Sequence, residues 1–216
     1  MPNTMFLDLV LIYSLVIKQP QIRGEAVVPM ATHSFSMEKR YGNSFVNGVF
    51  KDNILLTLHY LAGDVKAKED IVWENITKPF HYEFSLNPGE TFAFHDQVLP
   101  EYKDSLVKTT NAHFNYTDGF KSDGYLMGDG VCHFASLIYW AARDAGLNAV
   151  SPTNHDFANI PEVPKEYGVS IYFMPGNFGT SSRQNLYITN NFDKPVTFVF
   201  DYDGTELKVD VVKEVN

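Results

Sequence analysis

The sequence predicts an α+β domain with a largely antiparallel sheet, a helix that carries the one cysteine, and a second helix upstream. Apolar residues recur at helical spacing within 34–62 and again after Cys132. Segments 196–202 and 206–212 are rich in β-branched and aromatic residues, as strands are. Asp203-Gly204, which separates those two segments, is typical of a β-hairpin turn. Helices and hairpin strands in one chain of this length together predict the α+β class.

Composition limits the function classes that need to be considered. The chain has 216 residues, which suits one domain with an N-terminal appendage. An apolar fraction of 44% excludes a disordered chain. The formal net charge of -9 argues against nucleic acid as a partner, because no basic stripe is present to displace phosphate counterions. A single cysteine excludes an internal disulfide.

The N-terminal segment is apolar over residues 5–17, interrupted by Asp8. It is short for a membrane span but has the length of a signal-peptide core, although no Lys or Arg precedes it. A signal peptide or a membrane anchor is one interpretation, and a strand or helix packed on the domain is the other. We therefore divide the chain into a hydrophobic segment, 1–32, and a domain, 33–216.

The upstream helix is predicted within 34–62, where Gly63 provides a C-terminal signal and Ser44 is a candidate N-cap. From residue 71 the spacing of the apolar residues changes from helical to alternating. Residues 82–86 alternate between apolar and polar, and a short aromatic strand resumes at 91–94. The turn signal Asn87-Pro88-Gly89 between them predicts a β-hairpin.

The polar stretch 100–123 is predicted to be a loop that leads into the cysteine turn. A loop of this length either shapes a substrate cleft or is anchored by its aromatic residues, and both interpretations stay open. After the cysteine helix, segments 169–174 and 185–189 resemble strands, and Asn190-Asn191 is predicted to be a hairpin turn.

The stretch around Cys132 carries the chemistry. A turn of Gly128, Asp129 and Gly130 delivers the cysteine to the first turn of a helix that ends near Gly146. The positive end of the helix dipole and amides without intrahelical partners favour a thiolate, and they can also hold an oxyanion. The alternative is a small buried apolar residue, since free cysteine is often buried.

A nucleophilic cysteine needs a base, and histidines are available on both sides of it. His155 is the first candidate because a helix followed by a returning strand brings it back towards the helix N-terminus. His113, in the preceding loop, is the second candidate. His133 follows the cysteine directly, but neighbouring helix positions point about 100° apart, so it cannot easily reach the thiol.

A family resemblance follows from these residues. The segment GDGVCHFASLIYWAARDAGL resembles the glycine-rich cysteine motif of the VanW domain. Downstream, NHD, VSIYFMPG, NLYITNN and TFVFDYDGTELKVDV are similar to later blocks of that family and occur in the same order. Upstream, LNPGETFAFHDQVLP resembles its opening strand motif. The resemblance covers residues 84–212.

This resemblance implies a role in the bacterial cell wall. Some members of the family look like L,D-transpeptidases, which places the protein in the extracytoplasmic cell envelope with peptidoglycan stem peptides as partners. Membrane attachment through the N-terminal segment would fit this location. Carried over by position, Cys132 is the nucleophile and His155 the general base of a reaction through a thioacyl-enzyme. The implied substrate-binding or oxyanion residues are Asp129, Gly130, Val131 and His133.

The chain departs from the family motif at several positions. Asp129 stands where the motif has its middle glycine, and His133 stands where it has Gln. A carboxylate at position 129 would raise the pKa of the thiol. The acidic residue that the family has near residues 178–179 is missing. If that acid orients the histidine, either Asp156 or Asn185 replaces it here or the chemistry has changed.

Two other classes stay open. One is a non-catalytic cell-envelope binding or accessory protein with a vestigial cysteine. The other is a metal site built from Cys132, His133, His155 or His113, whose side chains are suitable ligands. No CxxC, HxH or HExxH spacing supports the metal site. We predict no metal and no cofactor.

Overall fold

A computed structural model of the chain describes residues 21–22, 25–125 and 127–214. The apolar segment 5–17 lies outside the described residues, so its interpretation as a signal or an anchor stays a prediction. In the described part of the chain, no helix is long and apolar enough to span a membrane. The proposed boundary between 1–32 and 33–216 falls inside a strand, Glu25–Ser36.

The described residues form a first sheet of five antiparallel strands: β1 Gln21–Ile22, β2 Glu25–Ser36, β3 Phe80–Leu86, β8 Val196–Tyr202 and β9 Glu206–Glu214. Their order in the sheet is β1-β2-β9-β8-β3. The predicted Asp203-Gly204 hairpin joins β8 to β9 and is confirmed, with Gly204 at φ 109°.

The second sheet has four short strands among the described residues: β4 Thr91–Ala93, β5 Leu106–Lys108, β6 Asn148–Val150 and β7 Tyr187–Thr189. Their order is β5-β4-β7-β6. Within this part of the chain, the β4–β5 pair alone is parallel. The predicted α+β class with a largely antiparallel sheet is therefore confirmed.

The α-helices of the described residues are α1 Ser44–Ala62, α2 Trp73–Ile76, α3 Val131–Asp144 and α4 Phe178–Arg183. Helices α1 and α3 contact each other, and α3 also packs on β2 and β9 of the first sheet. Phe92, Phe134 and Phe198, from both sheets and from α3, are fully buried in one hydrophobic cluster. The shared core therefore fixes the N-terminus of α3 relative to both sheets.

Two predicted hairpins are wrong, because both turns carry the chain from one sheet to the other. The turn before Gly89 forms, but β3 pairs with β8 while β4 pairs with β5 and β7. Likewise β7 and β8, on either side of Asn190-Asn191, belong to different sheets. Gly89 N–H donates to Asn190 O at 2.8 Å, and the buried Asn190 amide donates to Leu86 O at 2.8 Å. The two crossovers thus bond to each other instead of closing hairpins.

Other local predictions need correction. Asn43, not Ser44, caps α1, because its side chain accepts from the amides of the first turn. Residues 169–174 form no strand, although Ser170 N–H donates to Thr153 O and Tyr172 N–H to Gln184 O, each at 3.0 Å. Helices α2 and α4 were not predicted.

Candidate active site

The turn before Cys132 requires glycine at two positions. Gly130 is the N-cap of α3 and has φ 98°, and a Cβ built on it would lie 2.7 Å from Phe50 O in α1. Gly128 has φ 79°, and its Cβ would lie 3.0 Å from Phe114 O. Both conformations strongly favour glycine. The turn is therefore packed against α1 on one side and against the 100–123 segment on the other.

Asn53 of α1 holds this turn in place. Its side-chain amide donates to Asp129 O at 2.8 Å and to Lys121 O at 3.0 Å, and its oxygen accepts from Lys121 N–H at 2.9 Å. The residue is fully buried. Because a buried amide left without partners costs about 1–3 kcal/mol, this clamp stabilises both the turn and the approach to α3.

Cys132 lies in the first turn of α3, half-buried, with its thiol against the backbone of Ile171. Sγ lies 3.6 Å from Ile171 O, to which it donates, and accepts from Ile171 N–H at 3.4 Å. Burial raises the pKa of the Cys132 thiol to about 11, the carboxylate of Asp129 adds to the rise, and the N–H groups of Ile171 and Cys132 oppose it. The resting thiol is therefore protonated at neutral pH, contrary to the expectation that the helix terminus would hold a thiolate.

Asp129 lies beside this thiol on the same turn. Burial raises the pKa of its carboxyl group to about 6, and one carboxylate oxygen accepts from Asp123 N–H at 2.9 Å. The group changes charge near pH 6, close to the sulfur. As predicted from the sequence, the carboxylate at position 129 therefore raises the pKa of the Cys132 thiol.

The backbone amides of Val131, Cys132 and His133, in the first turn of α3, differ in their availability as oxyanion donors. The amide of Val131 already donates to Gly128 O at 3.0 Å. Within the described residues, the amides of Cys132 and His133 have no backbone acceptor, as is usual for the first turn of a helix. Two N–H groups at the helix terminus can therefore receive an anionic oxygen.

His155 is buried, and its ring has a defined tautomer. Nδ1 lies 3.2 Å from Ala158 O, and because a carbonyl only accepts, Nδ1 carries the hydrogen and Nε2 keeps its lone pair. Burial lowers the pKa of the imidazole, so it is neutral at pH 7. His155 and Cys132 line the same cavity, although no hydrogen bond joins them in the described structure. A neutral imidazole with a free nitrogen is the form that a general base needs.

His133 is engaged elsewhere. Arg40 donates to its Nδ1 from Nη2 at 3.1 Å, and the hydroxyl of Tyr41 lies 3.4 Å from its Nε2. Burial, and next the charge of Arg40, hold the pKa of this imidazole well below its ordinary value. His133 is thus a neutral, positioned side chain.

His113, the second candidate base, lies on another wall of the same cavity. Its ring stacks on Phe173 with centroids 4.0 Å apart, and its Nε2 is 3.4 Å from the carboxylate of Asp96. The structure therefore brings both candidate bases to the cavity of Cys132.

Among the described residues, neither candidate orienting residue makes a hydrogen bond to the His155 ring. Asn185 is fully buried, and its amide donates to His95 O at 3.1 Å and to Gln97 O at 3.2 Å. Asp156 is exposed and lines a neighbouring cavity of about 620 Å³ that also contains Arg183. In this arrangement Ala158 O takes the orienting role.

The cavity above Cys132 has a volume of about 580 Å³. Three of its aromatic side chains are strongly exposed: Tyr125 (91%), Phe157 (69%) and Tyr172 (47%). Exposed aromatic residues around a concave site are typical of ligand binding. The lining includes Tyr41, Phe50, His113, Asp129, Gly130, Cys132, His133, His155 and Ile171.

The family described as VanW like protein matches residues 82–212. The chain belongs to the VanW family. No curated protein and no solved structure matches the chain. Membership links it to proteins of the bacterial cell envelope that are related to the cell wall and to glycopeptide resistance.

Three residues that shape the cavity lie before the VanW match and were not predicted: Arg40, Tyr41 and Asn53. Asn53 carried one indication in the sequence, because it is a polar amide that directly precedes an apolar run inside the predicted helix. Arg40 and Tyr41 carried none, because their role depends on the path of the chain between β2 and α1.

The third class, a metal site, gains no support from the VanW cavity. Among residues 21–22, 25–125 and 127–214, no group of three or more His, Cys, Asp or Glu side chains could hold a metal ion. Nδ1 of His133 faces the positive charge of Arg40, which disfavours a cation there.

Proposed function

We propose that this VanW protein is a cysteine acyltransferase of the L,D-transpeptidase type that acts on peptidoglycan stem peptides. One observation carries the proposal: Cys132, in the first turn of a helix, lines the cavity that also holds His155, whose Nε2 is unprotonated. A nucleophile, a base and free amide donors are the parts that acyl transfer requires.

In the first half-reaction, the Cys132 sulfur attacks the carbonyl carbon before a terminal D-amino acid, and the thiol proton passes to Nε2 of His155. The anionic oxygen of the tetrahedral intermediate accepts from the amides of Cys132 and His133. When the C–N bond breaks, His155 returns the proton to the leaving amine. A thioester on Cys132 and a free D-amino acid result.

In the second half-reaction, an amine of another stem peptide attacks the thioester, and His155 takes a proton from it. The C–S bond breaks, the thiol is protonated again, and a cross-linked peptide leaves. Water in place of the amine would give a shortened stem peptide.

A protonated resting thiol is compatible with this scheme. Because the thiol pKa is about 11, proton transfer has to accompany attack instead of preceding it. A base that is neutral at pH 7 suits this, and catalytic hydrogen bonds often form only when substrate is bound or through one water.

The exposed aromatic residues of the cavity, defined above as Tyr125, Phe157 and Tyr172, support a substrate that still carries its sugars. Flat apolar faces beside a polar cleft suit stacking on a saccharide ring. A disaccharide attached to the stem peptide is therefore the favoured form of the substrate.

The test is D-amino acid release from a disaccharide-tetrapeptide by wild type, Cys132→Ala and His155→Gln. We expect no release by Cys132→Ala and a fall in kcat of about 10²- to 10⁴-fold for His155→Gln, because it removes the base. His81→Gln is a matched control, since His81 lies exposed on β3. Release by Cys132→Ala at the wild-type rate would contradict the proposal.

A second candidate is a non-catalytic binding domain of the cell wall. It is favoured by the protonated thiol and by its engagement with both backbone groups of Ile171, which is how a structural cysteine would be held. This candidate predicts that wild type releases no D-amino acid, yet binds the disaccharide-tetrapeptide as tightly as Cys132→Ala does.

A further inference from the structure

Arg40 is a buried guanidinium with its donors fully used. Nε and Nη2 donate to His133 Nδ1 at 3.3 and 3.1 Å, and Nη2 also donates to Pro161 O at 3.0 Å. Nη1 donates to Ser36 O at 3.2 Å and to the Glu162 carboxylate at 3.4 Å. Because each of the five N–H groups has an acceptor, the guanidinium has one orientation.

This arrangement fixes the tautomer of His133. A guanidinium can only donate, so Nδ1 must accept. The ring is neutral, because burial and the charge of Arg40 hold its pKa well below the ordinary value. Its hydrogen therefore resides on Nε2.

The tautomer in turn directs the hydroxyl of Tyr41. Nε2 of His133 lies 3.4 Å from this oxygen and carries a hydrogen, so the oxygen accepts. The hydroxyl hydrogen has no acceptor among the residues that the structure describes. Since Tyr41 lines the cavity above Cys132, this hydrogen is free to point into it.

We propose that the hydroxyl of Tyr41 donates a hydrogen bond to a carbonyl oxygen of the bound peptide, and that Arg40 and His133 are the positioning residues that aim it. The donor series runs from Arg40 to His133, from His133 to Tyr41, and from Tyr41 to the ligand. The inference rests on the proposed function, to which it adds a third donor beside the two backbone amides.

The position of these residues in the chain makes the inference specific to this protein. Arg40 and Tyr41 precede α1 and lie outside the region that matches the family, residues 82–212. His133 is inside that region and lies beside the cysteine. The N-terminal part of the domain thus supplies polar groups to a cavity whose cysteine belongs to the family motif.

The test measures kcat and KM for D-amino acid release from the disaccharide-tetrapeptide in four variants. Tyr41→Phe keeps the ring and removes a donor that bonds the carbonyl of the bound peptide and bonds it more strongly in the transition state. We therefore expect kcat to fall about 100-fold and KM to rise about tenfold. His133→Gln can still accept from Arg40 and donate to Tyr41, and we expect it to stay within about fivefold of wild type. His133→Leu can do neither, so we expect it to lose most of what Tyr41→Phe loses.

The double variant separates this donor series from a structural role. If His133 acts through Tyr41, Tyr41→Phe/His133→Leu has the same kcat as Tyr41→Phe. Additive losses in the double variant, or a Tyr41→Phe enzyme with wild-type kcat, would overturn the inference while the proposed function stands. Thermal melting of each variant shows whether a loss comes from unfolding, and His133→Gln keeps the test valid if His133→Leu does not fold.

If wild type releases no D-amino acid, the proposed function fails and two other measurements decide the inference. Nitrogen-15 NMR of His133 should show the hydrogen on Nε2, and a hydrogen on Nδ1 overturns it. Binding of the disaccharide-tetrapeptide to Cys132→Ala should weaken about tenfold when Tyr41→Phe is added. Equal binding, or no binding to either protein, overturns it as well.

Discussion

At the scale of single residues, the ionisation of Cys132 depends on competing effects. Burial dominates and keeps the thiol protonated, while the N–H group of Ile171 and the helix terminus favour the thiolate. Asp129 adds a charge that depends on pH, because the pKa of its carboxyl group is about 6. The reactivity of the sulfur should therefore respond to this neighbour.

Replacing Asp129 with Asn should make the thiol more reactive. Above pH 6 the wild-type carboxylate is ionised and opposes the thiolate, so Asp129→Asn should be alkylated by iodoacetamide roughly 3- to 10-fold faster. Below about pH 5 the carboxyl group is neutral in wild type as well, and the difference should disappear. In wild type the rate should keep rising to pH 10 without a plateau, since the thiol pKa is about 11.

Glu83→Gln is the matched control, because Glu83 is an exposed carboxylate on β3. It should leave the alkylation profile unchanged. A wild-type plateau near pH 8, or an identical profile for Asp129→Asn, would show that the burial and charge described for Cys132 are wrong.

Part of the site could be predicted at this scale. Sequence alone predicted Cys132 at the start of a helix, the glycines before it, and His155 and His113 as nearby imidazoles, and all of them reach one cavity. The protonated state of the thiol could not be predicted, because it depends on how α3 packs against residues 169–174. Arg40 and Tyr41 were missed for a similar reason: the chain turn that brings them to His133 has no local signal.

At the scale of elements, the glycine turn and α1 form one unit. Gly130 lets α3 begin within van der Waals distance of the α1 backbone, and Asn53 bonds across the junction. Helix α1 is thus the support on which the cysteine turn rests.

Replacing either of two glycines of this unit with alanine should change the free energy of unfolding, in opposite directions. Gly130→Ala should lower the free energy of unfolding by at least about 2 kcal/mol, because Gly130 has φ 98° and its Cβ would lie 2.7 Å from Phe50 O. Gly48→Ala should raise it by about 0.5–1 kcal/mol, because Gly48 lies inside α1 with open space around it. Urea unfolding measures both changes. Equal stability of the two variants would contradict the packing of the turn on α1.

Some elements could be predicted from local sequence patterns alone. The β8–β9 hairpin, helix α1 with its Gly63 terminus, and α3 were predicted because their signals lie within the element itself. The strand pairings of β3, β4 and β7 were not, because turns 87–89 and 190–191 have hairpin composition but bond to each other. Pairing between distant strands is decided by the whole core and not by the turn.

At the scale of the whole molecule, the family region is not a structural unit by itself. The match spans residues 82–212, whereas β2 pairs along β9, and α1 buries apolar side chains completely in the common core. These side chains include Ile54, Leu55, Leu58 and Leu61.

A fragment of residues 82–212 should therefore fail to fold cooperatively, while a chain of residues 25–214 should fold. The short fragment loses α1 and the partner strand of β9, which exposes a large apolar surface. Urea titration followed by circular dichroism and by tryptophan fluorescence measures this. A sharp, coincident transition for the short fragment would contradict the shared core.

Acyl transfer by Cys132 should be visible in the intact mass of the protein after incubation with a disaccharide-tetrapeptide and an acid quench. We expect an increase equal to the mass of the substrate minus its terminal D-amino acid, carried by Cys132 and absent from Cys132→Ala. An unchanged mass with no D-amino acid released, or the same adduct on Cys132→Ala, would contradict it.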